Sequence, residues 1–112
     1  MDKNQVIAVE EGIKRVVNNK KLYIRLLTNF SGRKLVEQIV EAVEQNDYQE
    51  AVAKCHALRG TAANLAMHVL TSVSGDLEKQ LAENNDPGEL IQKLQASLEE
   101  VEAEIEKILA EG

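Results

Sequence analysis

The chain has 112 residues, of which 44% are hydrophobic and 29% charged, so it fits a single domain spanning residues 1–112 with a real core. Only 3% of the residues are aromatic, and aliphatic side chains must fill that core. This composition favours helices packed on helices over a β-sandwich. The formal net charge of −6 and the lack of a basic run interleaved with aromatics argue against a nucleic-acid partner.

The compartment is indicated by what the sequence lacks. Cys55 is the single cysteine, so an internal disulfide is excluded and a reducing environment fits. No apolar run approaches the roughly 20 residues that span a bilayer, and the N-terminus has no signal-peptide pattern. We therefore expect a cytoplasmic protein that does not insert into membranes.

The first half of the chain predicts two helical stretches. A short helix is expected over Val6 to Val17 and, after the polar pair Asn18-Asn19, a long stretch from Lys20 to Gln45. Ser31-Gly32 is expected to kink or interrupt the long stretch. The apolar positions that mark these helices are Ile7, Ile13, Val16 and Val17 in the first, and Leu22, Leu26, Leu27, Phe30, Leu35, Ile39, Val40 and Val43 in the second.

Three more helices are predicted in the second half. One begins after Asp47, which forms an acidic capping box with Glu50, and runs towards Leu65. Another covers Val69 to Glu83, and the last follows the Asn84–Gly88 loop. One apolar stripe per helix and short connections predict an antiparallel up-and-down four-helix bundle with a short extra N-terminal helix. Inward-facing residues are expected to be Val69, Leu70, Val73, Leu77 and Leu81 in the fourth helix, and Leu90, Ile91, Leu94, Leu98, Val101, Ile105, Ile108 and Leu109 in the last.

The third helix has an unusual outer face. Its buried stripe is Tyr48, Ala51, Val52, Cys55, Leu58, Ala62 and Leu65. His56 lies about 120° from the centre of that stripe and should point outward. Its outer neighbours are mostly glycine or alanine, and Gly60 inside a helix costs about 1 kcal/mol relative to alanine. Either a partner protein presses a reactive group against the imidazole, or the small residues admit a neighbouring helix.

The segment around His56 resembles the histidine phosphotransfer (HPt) family. That family has an apolar residue two positions after the histidine, a basic residue three after and a glycine four after, which here are Leu58, Arg59 and Gly60. The resemblance extends from Leu22 to Glu78, about half of the chain, through Leu22–Phe30 and Asp76-Leu77-Glu78. The chain departs from the pattern in having arginine at 59, where lysine is commoner, and Ala66 in place of a glycine. Arginine keeps the charge, whereas Ala66 is expected to affect the bend that ends the third helix.

The resemblance implies that His56 carries phosphate on Nε2. A neutral imidazole is a good nucleophile at cytoplasmic pH, because its unperturbed pKa is about 6.5. Arg59, one turn on, would hold the phosphate through a charge-assisted hydrogen bond, unless it is an ordinary surface arginine. Glu78 matches a position that often faces the histidine, where it would accept from Nδ1–H, unless it is an ordinary exposed glutamate.

The expected role is that of a carrier between signalling proteins. The sequence has no P-loop, no glycine-rich kinase loop and no acidic cluster for magnesium, so we expect neither a metal nor a cofactor in this chain and assign Mg²⁺ to a partner receiver domain. The expected partners are a hybrid or separate histidine kinase and response-regulator receiver domains, and the protein is expected to be monomeric. The predicted docking face is Gln49, Val52, Ala53, Gly60 and Ala63.

Other signals carry less weight. Cys55 and His56 point about 100° apart on the helix, which argues against a nucleophilic pair, and no second ligand lies four residues from His56 for zinc. His68 is expected on the surface. The serious alternative is an interaction module or dimer through the C-terminal helix, whose Leu94, Leu98, Val101, Ile105 and Ile108 have coiled-coil spacing. That seam covers only about two heptads, and any four-helix bundle has the same spacing.

Overall fold

A computed structural model describes residues 6–111. These residues contain six helices and no strand. The outermost parts of the predicted domain, residues 1–5 and 112, lie outside the described residues. The all-helical prediction is confirmed. Within residues 6–111, none of the helices is both long and apolar enough to cross a membrane. The helices are α1 (Val9–Arg15), α2 (Lys20–Thr28), α3 (Gly32–Glu44), α4 (Tyr48–Asn64), α5 (His68–Ala82) and α6 (Gly88–Glu111).

Helices α3 to α6 form the bundle. Short connections at 45–47, 65–67 and 83–87 require consecutive helices to run antiparallel. Helix α4 packs extensively against both α3 and α5, and α6 packs on α5 and touches α3 more lightly. The α4–α5 seam is therefore the most closely packed part of the bundle.

The predicted stretch from Lys20 to Gln45 is two helices, and the interruption lies at Ser31-Gly32, where it was expected. Helix α2 ends at Thr28, and its Asn29 C-cap N–H donates to the Arg25 carbonyl. Helix α3 begins at Gly32, which is buried against the ring of Phe30. A Cβ on Gly32 would stand 2.3 Å from that ring, so the break requires a residue without a side chain at this position.

The N-terminal segment is hydrogen-bonded to the residues that follow the C-terminal end of α4. The Ala8 N–H donates to the Ala66 carbonyl at 3.0 Å, and the hydroxyl of fully buried Tyr23 donates to the Leu65 carbonyl at 2.9 Å. Burial raises the pKa of Tyr23 to about 12. Gly12 lies against the Tyr23 ring, where a Cβ would come within 2.2 Å. These contacts place α1 and α2 over one end of the bundle.

Three bundle helices end in the same turn. Asn46, Ala66 and Asn84 have φ near +60°, and the next residue in each case donates to a carbonyl five positions earlier, as in a Schellman motif. Asparagine tolerates this left-handed conformation, whereas alanine loses roughly 1–2 kcal/mol in it. The missing glycine at Ala66 thus leaves the bend that ends α4 intact, and the methyl group is fully buried.

The core is aliphatic, as composition predicted, but some apolar residues lie elsewhere than expected. Val17 is 89% exposed because its φ of 59° turns it away from α1, and Val69 is 47% exposed in the first turn of α5. Helix α2 buries Tyr23 and Leu27 and leaves two predicted leucines partly exposed, since its buried face is centred one position further along. The fully buried large side chains are Tyr23, Leu27, Ile39, Leu58, Met67, Leu70, Leu77, Leu81, Leu94, Leu98 and Val101, and the partly exposed leucines are Leu22, Leu26 and Leu109.

Candidate functional site

Helix α4 sets the direction of His56. The Asp47 carboxylate accepts from the Glu50 N–H at 3.1 Å, which caps the first turn as predicted. The reciprocal half of the box is not formed, because the Asp47 N–H donates to Ala42 and the Glu50 side chain pairs with Lys54. Ala51, Cys55, Leu58 and Ala62 are buried along one side, so the opposite side, with His56, faces solvent.

Three charged or titratable side chains meet on the α4–α5 seam. The His56 side chain is 69% exposed, and its Nδ1 lies 3.0 Å from Arg59 Nη2 and 3.4 Å from Glu78 Oε2. Arg59 Nε lies 3.2 Å from Glu78 Oε1. The structure therefore brings His56, Arg59 and Glu78 together, and each side chain lies close to the other two.

The two oxygens of Glu78 have different surroundings. Oε2 faces the imidazole, whereas Oε1 is buried and has no hydrogen-bond partner within residues 6–111. Its only close cationic neighbour in that part of the chain is Arg59 Nε, at ion-pair distance but without hydrogen-bond alignment. A buried carboxylate oxygen in this state is stabilised mainly by the charge of the guanidinium.

The five residues of the predicted docking face differ in exposure. Gln49, Ala53 and Gly60 are exposed, and Val52 and Ala63 are half-buried. A Cβ on Gly60 would meet nothing within 4 Å, so no neighbouring helix requires the glycine. This excludes the packing explanation for Gly60. A shallow cleft of about 300 Å³ beside Gln49 and Val52 continues the same face between α4 and α5.

Cys55 and His68 are the two remaining candidate groups. Cys55 is fully buried, and burial, with a smaller effect of Glu78, raises the pKa of its thiol to about 12, so it is not a thiolate at neutral pH. His68 begins α5 on the surface, as expected, and pairs with Glu11 on α1. Within the described part of the chain, no three His, Cys, Asp or Glu side chains are grouped to hold a metal ion.

Sequence reasoning missed Gly75. This residue lies on α5 beside the Arg59 side chain, and a Cβ at position 75 would stand 3.3 Å from Arg59 Cδ. The available signal was a glycine inside a helix with no turn to explain it. The contact between Arg59 and Nδ1 was also unexpected, because Glu78 was predicted to bind that nitrogen.

The chain is similar to known proteins in both sequence and fold. The model of the Hpt domain family matches residues 30–104, which include His56, Arg59 and Glu78. The fold is similar to the crystal structure of the HPT domain from the Hpt sensor hybrid histidine kinase from Shewanella, with a TM-score of 0.83, 19% sequence identity and 96% of each chain covered. A search of curated proteins gave no match.

Proposed function

We propose that this chain, which belongs to the Hpt domain family, relays a phosphoryl group through phospho-His56. Hpt domains take part in phosphotransfer in two-component phosphorelays, as phosphocarriers rather than catalysts, and they interact with kinase and receiver domains. In our proposal the donor is a histidine kinase or a receiver aspartyl phosphate, and the acceptor is another receiver. The observation that carries the proposal is an outward-facing imidazole beside an arginine and a glutamate on a face of small residues.

The chemistry follows from the exposed ring. The Nε2 lone pair attacks the phosphorus of an aspartyl phosphate, the P–N bond forms, and the bond from phosphorus to the aspartate oxygen breaks to give a free carboxylate. The reverse steps load the next receiver. No group of this chain has to take up a net proton, because the Nδ1–H tautomer of a neutral imidazole has its lone pair on Nε2.

Arg59 and Glu78 are proposed to stabilise the phosphorylated ring. After attack at Nε2 the ring carries a positive charge and a hydrogen on Nδ1. Glu78 Oε2 lies 3.4 Å from the Nδ1 atom and can accept that hydrogen. Arg59 reaches the imidazole already, and a rotation of its side chain would bring the guanidinium beside the phosphoryl oxygens. The positive charge of Arg59 thus serves the phosphoryl group, and the negative charge of Glu78 serves the positively charged ring.

The docking face is proposed to admit the donor's active site closely. Of the five docking residues, Val52, Ala53, Gly60 and Ala63 have short side chains or none, and only Gln49 is long. The receiver would bring its own Mg²⁺, and we assign no cofactor to this chain. A flat surface lets the reacting groups approach to near-attack distance.

The proposal is tested by phosphoryl labelling of three proteins. Wild type, His56→Gln and His68→Gln are incubated with a panel of phosphorylated receiver domains and Mg²⁺. We expect acid-labile, base-stable label on wild type and on His68→Gln, and none on His56→Gln. His68 is the matched control, as the only other histidine of the sequence. Label retained in His56→Gln would overturn the assignment, and no label on any folded variant would favour a pure interaction module.

A further inference from the structure

Nδ1 of His56 has two neighbours that it cannot bind at the same time. A guanidinium only donates hydrogen bonds, whereas an ionised carboxylate only accepts them. Arg59 Nη2 is the nearer, at 3.0 Å, and Glu78 Oε2 stands at 3.4 Å without forming a hydrogen bond. If Nδ1 accepts from Arg59 through its lone pair, the hydrogen of the neutral ring must lie on Nε2.

We propose that Arg59 holds unphosphorylated His56 in the Nε2–H tautomer, and that the ring becomes reactive at Nε2 when the arginine leaves Nδ1. The consequence for transfer rests on the function proposed above, but the tautomer itself does not. Arg59 is in this sense a positioning residue that acts before it meets any phosphate. An incoming phosphoryl group supplies the negative charge that draws the guanidinium away.

Two residues on α5 hold the arginine in this position. Gly75 leaves room for the Arg59 chain, whose Cδ would lie 3.3 Å from a Cβ at that residue. Glu78 Oε1, buried and otherwise unpartnered within residues 6–111, lies 3.2 Å from Arg59 Nε and anchors its charge. The arginine is thus directed at Nδ1 from a groove in the neighbouring helix.

The change of tautomer balances without a further reactant. When Arg59 leaves, the Nε2 hydrogen passes to water and Nδ1 takes a hydrogen from water, so no net proton is consumed. Nδ1–H then donates to Glu78 Oε2, and the freed Nε2 lone pair attacks phosphorus. Glu78 thereby has two successive partners, Arg59 before transfer and Nδ1–H during it.

The tautomer can be measured directly by long-range ¹H–¹⁵N correlation NMR on the free protein, at about pH 8 where an ordinary imidazole is neutral. We expect wild type to show mainly the Nε2–H pattern at His56. Arg59→Ala should shift the majority to Nδ1–H, because Glu78 is then the only charged partner close to Nδ1 among the described residues. Gly75→Leu should do the same with Arg59 still present, by filling the space of its Cδ.

Matched controls separate this effect from a general loss of charge. Arg33→Ala removes an arginine that pairs with Glu102 on α6 and should leave the tautomer unchanged. The double variant Arg59→Ala/Glu78→Ala should lose the shift, since no carboxylate then accepts from Nδ1–H. Mainly Nδ1–H in wild type, or no shift in Arg59→Ala, would overturn the proposal even if His56 is labelled normally. The expected tautomers in a protein that never accepts phosphate would instead contradict only the proposed function.

Discussion

At the scale of single residues, the site depends on two glycines as much as on its charged side chains. Gly60 leaves the imidazole accessible from one side, and Gly75 lets Arg59 lie low between α4 and α5. Helix periodicity was sufficient to predict that His56 points outward. It was not sufficient to predict which group binds Nδ1, because that depends on the side-chain conformation of Arg59 over a neighbouring helix.

Gly60 gives a prediction that separates stability from docking. Gly60→Ala should raise the free energy of unfolding by about 1 kcal/mol, because the position is helical and a methyl group there meets nothing. Gly60→Leu should also fold but should accept phosphate more slowly, since its side chain stands on the docking face. Urea denaturation and the rate of labelling measure the two effects.

The control for Gly60 is Gly32, a helical glycine whose Cβ would collide with Phe30. Gly32→Ala should lower the free energy of unfolding, which shows that the gain at position 60 comes from its open surroundings. An undiminished labelling rate in Gly60→Leu would remove Gly60 from the docking surface.

At the scale of the elements, the helices of the bundle were predicted within a few residues because each has a regular apolar stripe and polar ends. The stretch from Lys20 to Gln45 was harder, since its apolar positions continue across the break. What divides it is the packing of Phe30 on Gly32, a contact that periodicity does not reveal. The end of α4 was predicted correctly even though Ala66 stands in a turn that favours glycine.

Ala66 gives a prediction about that turn. In Ala66→Gly, relief of the left-handed conformation should raise the free energy of unfolding by roughly 1–2 kcal/mol. Loss of the buried methyl group lowers it by about 0.8 kcal/mol, and the more flexible unfolded chain lowers it by roughly another 0.4–1 kcal/mol. The free energy of unfolding should therefore hardly change. Ala62 lies within α4 and is as buried as Ala66, but its backbone conformation is helical and gains nothing from glycine. Ala62→Gly should therefore lower the free energy of unfolding by roughly 2 kcal/mol. Equal losses in the two variants by chemical denaturation would contradict the account of the turn.

At the scale of the whole molecule, the other helices of the bundle cover most of the apolar stripe of α6. Leu94, Leu98 and Val101 are buried against the protein's own helices, and Ile105 and Ile108 are half-buried in the same core. The seam considered for a coiled coil is therefore largely occupied. Composition favoured helices packed on helices, and the apolar stripes with short connections predicted the bundle.

The occupied seam predicts a monomer. Light scattering should give a mass near 12.4 kDa over a wide range of concentration, since little apolar surface of α6 is left for a second copy. The net charge of −6 adds repulsion between copies. A mass of about twice that value at every concentration would contradict the predicted monomer.

A relay protein passes phosphate on and does not merely receive it. The most direct measurement mixes a labelled receiver domain, an unlabelled second receiver that does not exchange with the first, and this protein, and follows the label over time. The account predicts that label reaches the second receiver with wild type or His68→Gln and does not reach it with His56→Gln. Label that stays on His56, or that reaches the second receiver without it, would contradict a relay through this histidine.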